Sequence, residues 1–71
     1  MMLPLTMAKV GEENAIKKVG GKEETRLFLS TLGFVPGTHV TIITQMGGSV
    51  IVNIKESRVA ISREMAAKIL V

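Results

Sequence analysis

The second half of the chain alternates apolar and polar residues over two neighbouring segments, residues 39–46 and 49–55. Val40, Ile42, Thr44 and Met46 share one face of the first segment, and Val50, Val52 and Ile54 share one face of the second. A period of two with many β-branched residues is typical of strands that bury one face. Gly47-Gly48 separates the two segments and favours a two-residue turn. We therefore expect an antiparallel hairpin here.

A third strand is predicted directly after this hairpin. Glu56-Ser57 supplies a second tight connection, and residues 58–62 then place Val59 and Ile61 on the inward face. Consecutive antiparallel strands joined by short turns form a meander. We expect this meander to be the centre of the fold.

The first half contains one segment with helical spacing, residues 22–32. Its apolar stripe follows the i, i+1, i+4, i+5 pattern of a buried helix face, and the residues on it are Leu27, Phe28, Thr31 and Leu32. Glu23 and Glu24 lie in the first turn, where negative charge favours the positive end of the helix dipole. This segment is predicted to be the one long helix.

Residues 32–38 are predicted to end this helix and begin the next strand. Gly33 is suited to the left-handed conformation that closes many helices, and Phe34 can then pack back on Leu29. Pro36 and Gly37 suit the two central positions of a type II turn, because proline has a fixed φ and glycine accepts a positive φ. We interpret this segment as mainly structural.

The segments before the helix are less regular. Residues 1–10 form an apolar arm that contains Pro4, which favours an irregular or edge segment held by its hydrophobic side chains. Residues 14–19 predict one short strand, which Gly20-Gly21 ends.

The end of the chain predicts a helical turn and a last strand. Ser62 is a suitable N-cap for residues 63–66, after which Ile69 and Val71 close the sheet. The sum is a mainly β fold: a small β-barrel of about five strands with one α-helix and a short C-terminal helical turn. Without repeats or a linker, residues 1–71 are predicted to form a single domain.

The composition of the chain limits the classes of protein to which it can belong. The chain is 46% hydrophobic and contains no cysteine, which excludes disulfides and thiolate metal sites and favours a reducing compartment. No apolar run approaches the ~20 residues that cross a bilayer, and residues 1–10 lack a basic segment before their apolar positions. We expect a cytoplasmic protein without a signal peptide or direct membrane insertion. The net charge of +3 comes from bases that are scattered along the chain.

The chain offers few side chains that could take part in catalysis or bind a metal. The chain has one histidine, no aspartate and six glutamates, and no glutamate stands at a ligand-like spacing from His39. We interpret His39 as an exposed or edge residue. The pairs Glu12-Glu13 and Glu23-Glu24 point in different directions within each pair, unlike a general acid and base. We assign no catalytic residue, no metal ligand and no cofactor, and therefore no enzyme activity.

Ligand binding through phosphates or nucleic acid is not favoured either. The three glycine-bearing segments do not match P-loop or dinucleotide spacing. The only rings, Phe28 and Phe34, belong to the helix and its end, so a stacking surface for bases is absent. What remains is a protein-binding surface. Its candidates are Leu29 and Val35 at the helix end, with Arg26 and Arg63 as a polar rim.

Four stretches of the chain form a specific pattern when taken together. They are residues 3–11 with Leu3-Pro4-Leu5 and Ala8-Lys9-Val10-Gly11, the stretch Ile16 to Gly20, Leu32-Gly33-Phe34-Val35-Pro36-Gly37-Thr38, and Arg58-Val59-Ala60-Ile61-Ser62-Arg63-Glu64-Met65-Ala66 with Ile69 and Val71. In this combination the chain resembles the ferrous iron transport protein A family, FeoA, from end to end.

The resemblance implies an SH3-like barrel in the prokaryotic cytoplasm. The same resemblance implies that the protein binds and modulates the FeoB-type membrane permease of ferrous iron uptake. The cytosolic part of that permease is a GTP-binding domain. The resemblance also implies recruitment to the inner face of the membrane by that partner, and transition metal binding at the level of the family. Two loops depart from the family pattern. Gly47-Gly48 makes a shorter hairpin, and Glu56-Ser57 stands where glycine is common.

Two alternatives stay open beside the permease partner. Barrels similar to the one predicted here occur at the end of iron-dependent repressors. The first alternative is therefore a stand-alone regulatory module that binds a peptide or an iron-dependent regulator. A third reading, a small nucleic-acid-binding barrel, predicts a steep loss of binding with salt. A homo-oligomer and a monomer are both compatible with the sequence.

Overall fold

Two antiparallel sheets, one of four strands and one of two, carry the fold in the computed structural model, which describes residues 2–71. The elements in chain order are a 3-10 helix Leu5–Met7, β1 Glu13–Ala15, β2 Lys18–Val19, α1 Glu23–Thr31, β3 His39–Met46, β4 Ser49–Ile54, β5 Ser57–Ser62, α2 Arg63–Ala66 and β6 Ile69–Leu70. The larger sheet has the order β1-β3-β4-β5, and β2 pairs with β6 in the smaller one. The predicted mainly β class with one longer helix is confirmed. Met1, part of the predicted arm, lies outside the described residues.

The β3-β4 hairpin has the predicted two-residue turn, since Met46 pairs with Ser49 across Gly47-Gly48. One feature of β3 differs from the prediction. The register shifts between Ile42 and Thr44, so that β3 carries an extra residue opposite β4. A β-bulge of this kind reverses which side chains face the core beyond it. Met46, predicted to share a face with Val40 and Ile42, is therefore 63% exposed whereas those two are buried.

The next connection is also displaced from its predicted place. Ile54 pairs with Ser57, so the turn consists of Lys55 and Glu56 and not of Glu56-Ser57. The pairing of β4 with β5 begins at Ser49 opposite Ser62 and runs without interruption, which leaves only two residues for the turn. Lys55 adopts a φ of 55° in this turn, a conformation that glycine usually supplies.

The strand predicted over residues 14–19 is two strands in two different sheets. β1 pairs with β3, whereas β2 pairs with β6. Between them Ile16 is buried and exchanges backbone hydrogen bonds with the turn before β3: its N–H donates to the Thr38 carbonyl at 2.8 Å and its carbonyl accepts from the Gly37 N–H at 2.8 Å. The chain passes from one sheet to the other at this residue, so a single strand is not possible.

The helix end has the predicted geometry. The Phe34 N–H donates to the Leu29 carbonyl and the Gly33 N–H to the Ser30 carbonyl, both at 3.0 Å, and Gly33 has a φ of 101°. These two bonds and the left-handed glycine define a Schellman motif. The following turn is also confirmed, because the Thr38 N–H donates to the Val35 carbonyl at 3.1 Å and Gly37 has a φ of 93°.

The two ends of the described chain are held together by backbone pairing. Leu3 and Val71 each donate an N–H to the other's carbonyl at 2.8 Å. Leu5, in the 3-10 helix, is fully buried. The arm is therefore irregular and tied to the core, as predicted. At the other end, the Ser62 Oγ accepts the Met65 N–H at 3.1 Å, which confirms the N-cap of α2.

A single hydrophobic core lies between the two sheets and α1. Its buried members are Leu5, Ile16, Leu29, Phe34, Val40, Ile42, Val50, Val52, Ile54, Ile61, Ala66, Ile69 and Val71. Phe34 is the one aromatic ring among them, and no polar or charged residue among those the structure describes is buried. The core is thus mainly aliphatic, as the composition predicts.

Replacing Gly33 with alanine tests the Schellman motif. A Cβ at this position would meet its nearest neighbour, Lys55 Cε, at 3.6 Å, an ordinary contact, so backbone strain alone is expected to act. We expect Gly33→Ala to lower the free energy of unfolding by about 1–2 kcal/mol in urea denaturation. Gly48→Ala is the matched control, because Gly48 lacks a positive φ and has open space around its Cβ position. A Gly33→Ala variant as stable as the Gly48→Ala variant would contradict the assignment.

Candidate functional site

Helix α1 turns a different face to the core than the stripe predicted from its sequence. Leu27 is 60% exposed and Phe28 is 47% exposed, although both were placed in the buried stripe. The inward face carries Thr25, Leu29 and Leu32, of which Leu29 is fully buried and the others are half-buried. These positions have the i, i+4, i+7 spacing of one helix face. The prediction of a Leu27 and Phe28 core face is therefore wrong.

The reason lies at the end of the helix. The Schellman motif brings Phe34 back over the last turn, next to Leu29, and both side chains belong to the core cluster. Once Leu29 points inward, Leu27 and Phe28 are rotated by about 200° and 100° around the helix axis. Two large apolar side chains consequently remain at the surface.

A groove of 520 Å³ runs beside this exposed helix face. One wall is α1, and the other is formed by β2 and the turn at Val35 and Pro36. The lining residues are Lys17, Lys18, Val19, Glu23, Arg26, Leu27, Ser30, Phe34, Val35 and Pro36. We call this feature the helix groove. Its rim carries three bases and one acid, and its apolar part is contributed by the helix, the turn and Val19 of β2.

The structure brings together two of the four predicted contact residues. Arg26 and Val35 both line the helix groove. Leu29 lies beneath it with no exposed surface, so it is a core residue and not a contact residue while the protein is folded. Arg63 does not line this groove. It is the first residue of α2, and its Nη1 donates to the Gln45 Oε1 at 2.9 Å.

Sequence reasoning missed Leu27, Lys17 and Lys18 as members of this surface. A signal for Leu27 was present, because a helix that packs Leu29 against Phe34 must expose the residue two positions earlier. The two lysines had no comparable signal. They reach the groove only because β2 pairs with β6 in a separate sheet.

His39 lies at the surface with one acidic neighbour. Its Nδ1 is 3.3 Å from a carboxylate oxygen of Glu13, and the two side chains are 60% and 67% exposed. The pairing of β1 with β3 creates this contact, which the separation of the two residues along the chain does not reveal. A pair this exposed contributes less than about 1 kcal/mol to stability. Within residues 2–71 no group of three potential metal-binding side chains is found.

No helix formed by residues 2–71 is long and apolar enough to span a bilayer. The four-residue helix α2 and the nine-residue helix α1 both fall well short of such a length.

Comparison with known proteins identifies relatives over nearly the whole chain. Residues 3–71 match the family model of the FeoA domain. The chain is 37% identical over 70 residues to the putative Fe(2+) transport protein A of Methanocaldococcus jannaschii. The alignment covers 99% of this chain and 85% of that protein.

Solved structures share the fold at low sequence identity. The crystal structure of an iron uptake regulatory protein (FeoA) superposes with a TM-score of 0.88 at 24% identity, over 99% of this chain and 93% of the other. A manganese-dependent transcriptional repressor reaches 0.86 at 14% identity, over 99% of this chain but 40% of the repressor. A FeoA-like protein from Clostridium acetobutylicum, solved by NMR, also reaches 0.86, at 17% identity over 97% of this chain and 83% of the other. These likenesses confirm the predicted SH3-like fold.

Paired alanine substitutions test the assignment of the two helix faces. We expect Leu29→Ala to lower the free energy of unfolding by about 2–5 kcal/mol, because it leaves a cavity in the core. Leu27→Ala removes a side chain of the same size from an exposed position and is expected to change stability by less than about 0.5 kcal/mol. Chemical denaturation of both variants measures the difference. Equal destabilisation of the two variants would show that the helix packs otherwise.

Proposed function

The chain belongs to the FeoA domain family, and from this premise we propose that it is an accessory protein of ferrous iron uptake. In this role it binds the cytosolic GTP-binding domain of the membrane iron permease and modulates the activity of that permease. The relative from Methanocaldococcus jannaschii, which matches almost the full chain, is named for Fe(2+) transport. This match is the observation that carries the proposal.

The helix groove is the surface that we assign to this contact. Leu27 on the helix wall and Val35 and Pro36 on the turn wall offer apolar area at the surface of a small domain. Exposed apolar side chains that are grouped beside a groove are typical of protein interaction sites. The neighbouring bases Lys18 and Arg26 add a positive rim, which favours a partner segment with acidic residues around an apolar centre.

The groove walls are held firmly for such a contact. The turn wall is fixed by the Schellman motif and by the bonds between Ile16 and the Gly37-Thr38 backbone. The helix wall is fixed by Leu29 in the core. A preformed surface loses less conformational entropy on binding than a mobile one.

The alternative function is a stand-alone regulatory module that binds a peptide or an iron-dependent regulator. Its support is the fold shared with part of the manganese-dependent transcriptional repressor. Since that likeness concerns the fold alone, the alternative ranks second. Co-purification with a DNA-binding regulator in place of the permease would favour it.

A binding experiment with the purified cytosolic domain of the permease from the same organism tests the proposal. We expect the full chain to bind this domain and Leu27→Glu to weaken binding at least about tenfold, because a charge then occupies an apolar contact. Isothermal titration calorimetry measures both affinities. In a strain that lacks the chain, the unmodified form should restore iron uptake, and Leu27→Glu should restore less of it.

Met46→Glu is the matched control for this substitution. Met46 is 63% exposed, close to the 60% of Leu27, and it lies at the end of β3, outside the lining of the helix groove. The two variants have the same change in charge and a similar change in exposed apolar surface. Absence of binding by the unmodified chain, together with unchanged iron uptake when it is deleted, would refute the proposal. Equal loss in both variants would refute the groove assignment.

A further inference from the structure

The N-terminal arm exposes more large apolar side chains than any other part of the chain that the structure describes. Seven large hydrophobic residues among residues 2–71 are exposed, and four of them are Met2, Leu3, Met7 and Val10, at 49%, 41%, 69% and 58%. The core accounts for only one large side chain of the arm, Leu5. Packing in the core therefore does not explain the four exposed apolar side chains of the arm.

The arm is nevertheless held in a defined place. Leu5 is anchored in the core, Leu3 is paired with Val71, and the Gly11 N–H donates to the Ile42 carbonyl at 2.8 Å. The backbone is thus fixed on both sides of Met7. Its exposed side chains are presented by a rigid support and are not those of a free tail.

The only charge on the side chains of the arm is positive. Residues 2–11 contain Lys9 and no acidic residue. Leu3, Met7 and Lys9 line a second groove of 290 Å³, to which Lys17 also contributes, with Glu12 as its one acid. Apolar side chains beside lysines are the composition with which peripheral proteins contact anionic membrane surfaces.

We propose that this arm surface, consisting of Met2, Leu3, Met7, Lys9 and Val10, contacts an anionic lipid bilayer. The apolar side chains enter the boundary between headgroups and acyl chains, while Lys9 stays at the level of the lipid phosphates. Methionine suits this position because its flexible thioether adapts to irregular surroundings. The contact is peripheral and involves no spanning segment.

Charge favours a bilayer over a second copy of the chain as the occupant. A twofold contact is made by the same patch on both copies. Lys9, the one charged residue of the arm surface, would then lie close to its own equivalent. An anionic lipid surface complements the same charges. The high exposure of Met7 and Val10 also suits entry into a soft interface.

The position of the arm relative to the helix groove is consistent with this inference. Lys17 lines both grooves, so the two surfaces adjoin. If the helix groove holds the cytosolic domain of a membrane permease, the arm lies beside that contact and close to the bilayer. This one step rests on the proposed function, whereas the apolar and charge arguments do not.

Vesicle binding by the purified chain tests the proposal without the permease. We expect the chain to sediment with vesicles of phosphatidylcholine and phosphatidylglycerol, and to bind pure phosphatidylcholine vesicles at least about fivefold more weakly. Met7→Glu is expected to weaken binding to the anionic vesicles about tenfold or more, because it removes an inserted side chain and adds a repelled charge. Lys9→Ala should weaken it about fivefold and reduce its salt dependence.

Met46→Glu is again the control, since it changes the net charge equally at an exposed apolar position that is not part of the arm surface. It should retain most of the binding, and circular dichroism should show that every variant is folded. Absence of binding to anionic vesicles at low salt would overturn the proposal, as would equal losses for Met7→Glu and Met46→Glu. Self-association that Met7→Glu abolishes, without vesicle binding, would assign the surface to a second copy instead. Loss of vesicle binding in Met7→Glu with permease-domain binding intact would separate this contact from the helix groove.

Discussion

Ile16 exchanges two backbone hydrogen bonds with Gly37 and Thr38, and this junction determines how the other elements are placed. It links the passage between the two sheets to the turn that begins β3. Because the turn follows directly on the Schellman motif, the same junction also holds the end of α1 in place. The position of the helix over the core, and with it the helix groove, depends on this local arrangement.

Features that arise from neighbouring residues were predictable from the sequence. The Schellman motif at Gly33, the turn at Gly37, the hairpin at Gly47-Gly48 and the N-cap at Ser62 each depend on the chemistry of a few consecutive residues. Their conformations follow from intrinsic preferences of glycine, proline and serine. The alternation in β3 and β4 was equally informative, since it reflects one buried face.

Features that arise from pairing between distant segments were not predictable in this way. The bulge beyond Ile42, which turns Met46 outward, is defined by how β3 pairs with β4. The division of residues 14–19 depends on two different partner strands, β3 and β6. The candidate site shows the same limit: Arg26 and Val35 both line the helix groove, whereas Leu29, which was placed on the surface, is buried. The Phe34 contact that the sequence already indicated was sufficient to assign Leu29 to the core.

The pairing of Leu3 with Val71 has a consequence for the order of events during synthesis on the ribosome. β2 can find its partner β6 only after residues 69 and 70 have emerged, and the arm can dock only after Val71 has done so. The meander β3-β4-β5 is built from local contacts and can form earlier, since contacts between distant residues carry the larger loop-closure cost. The backbone pairing of the arm is therefore expected to form later than the meander.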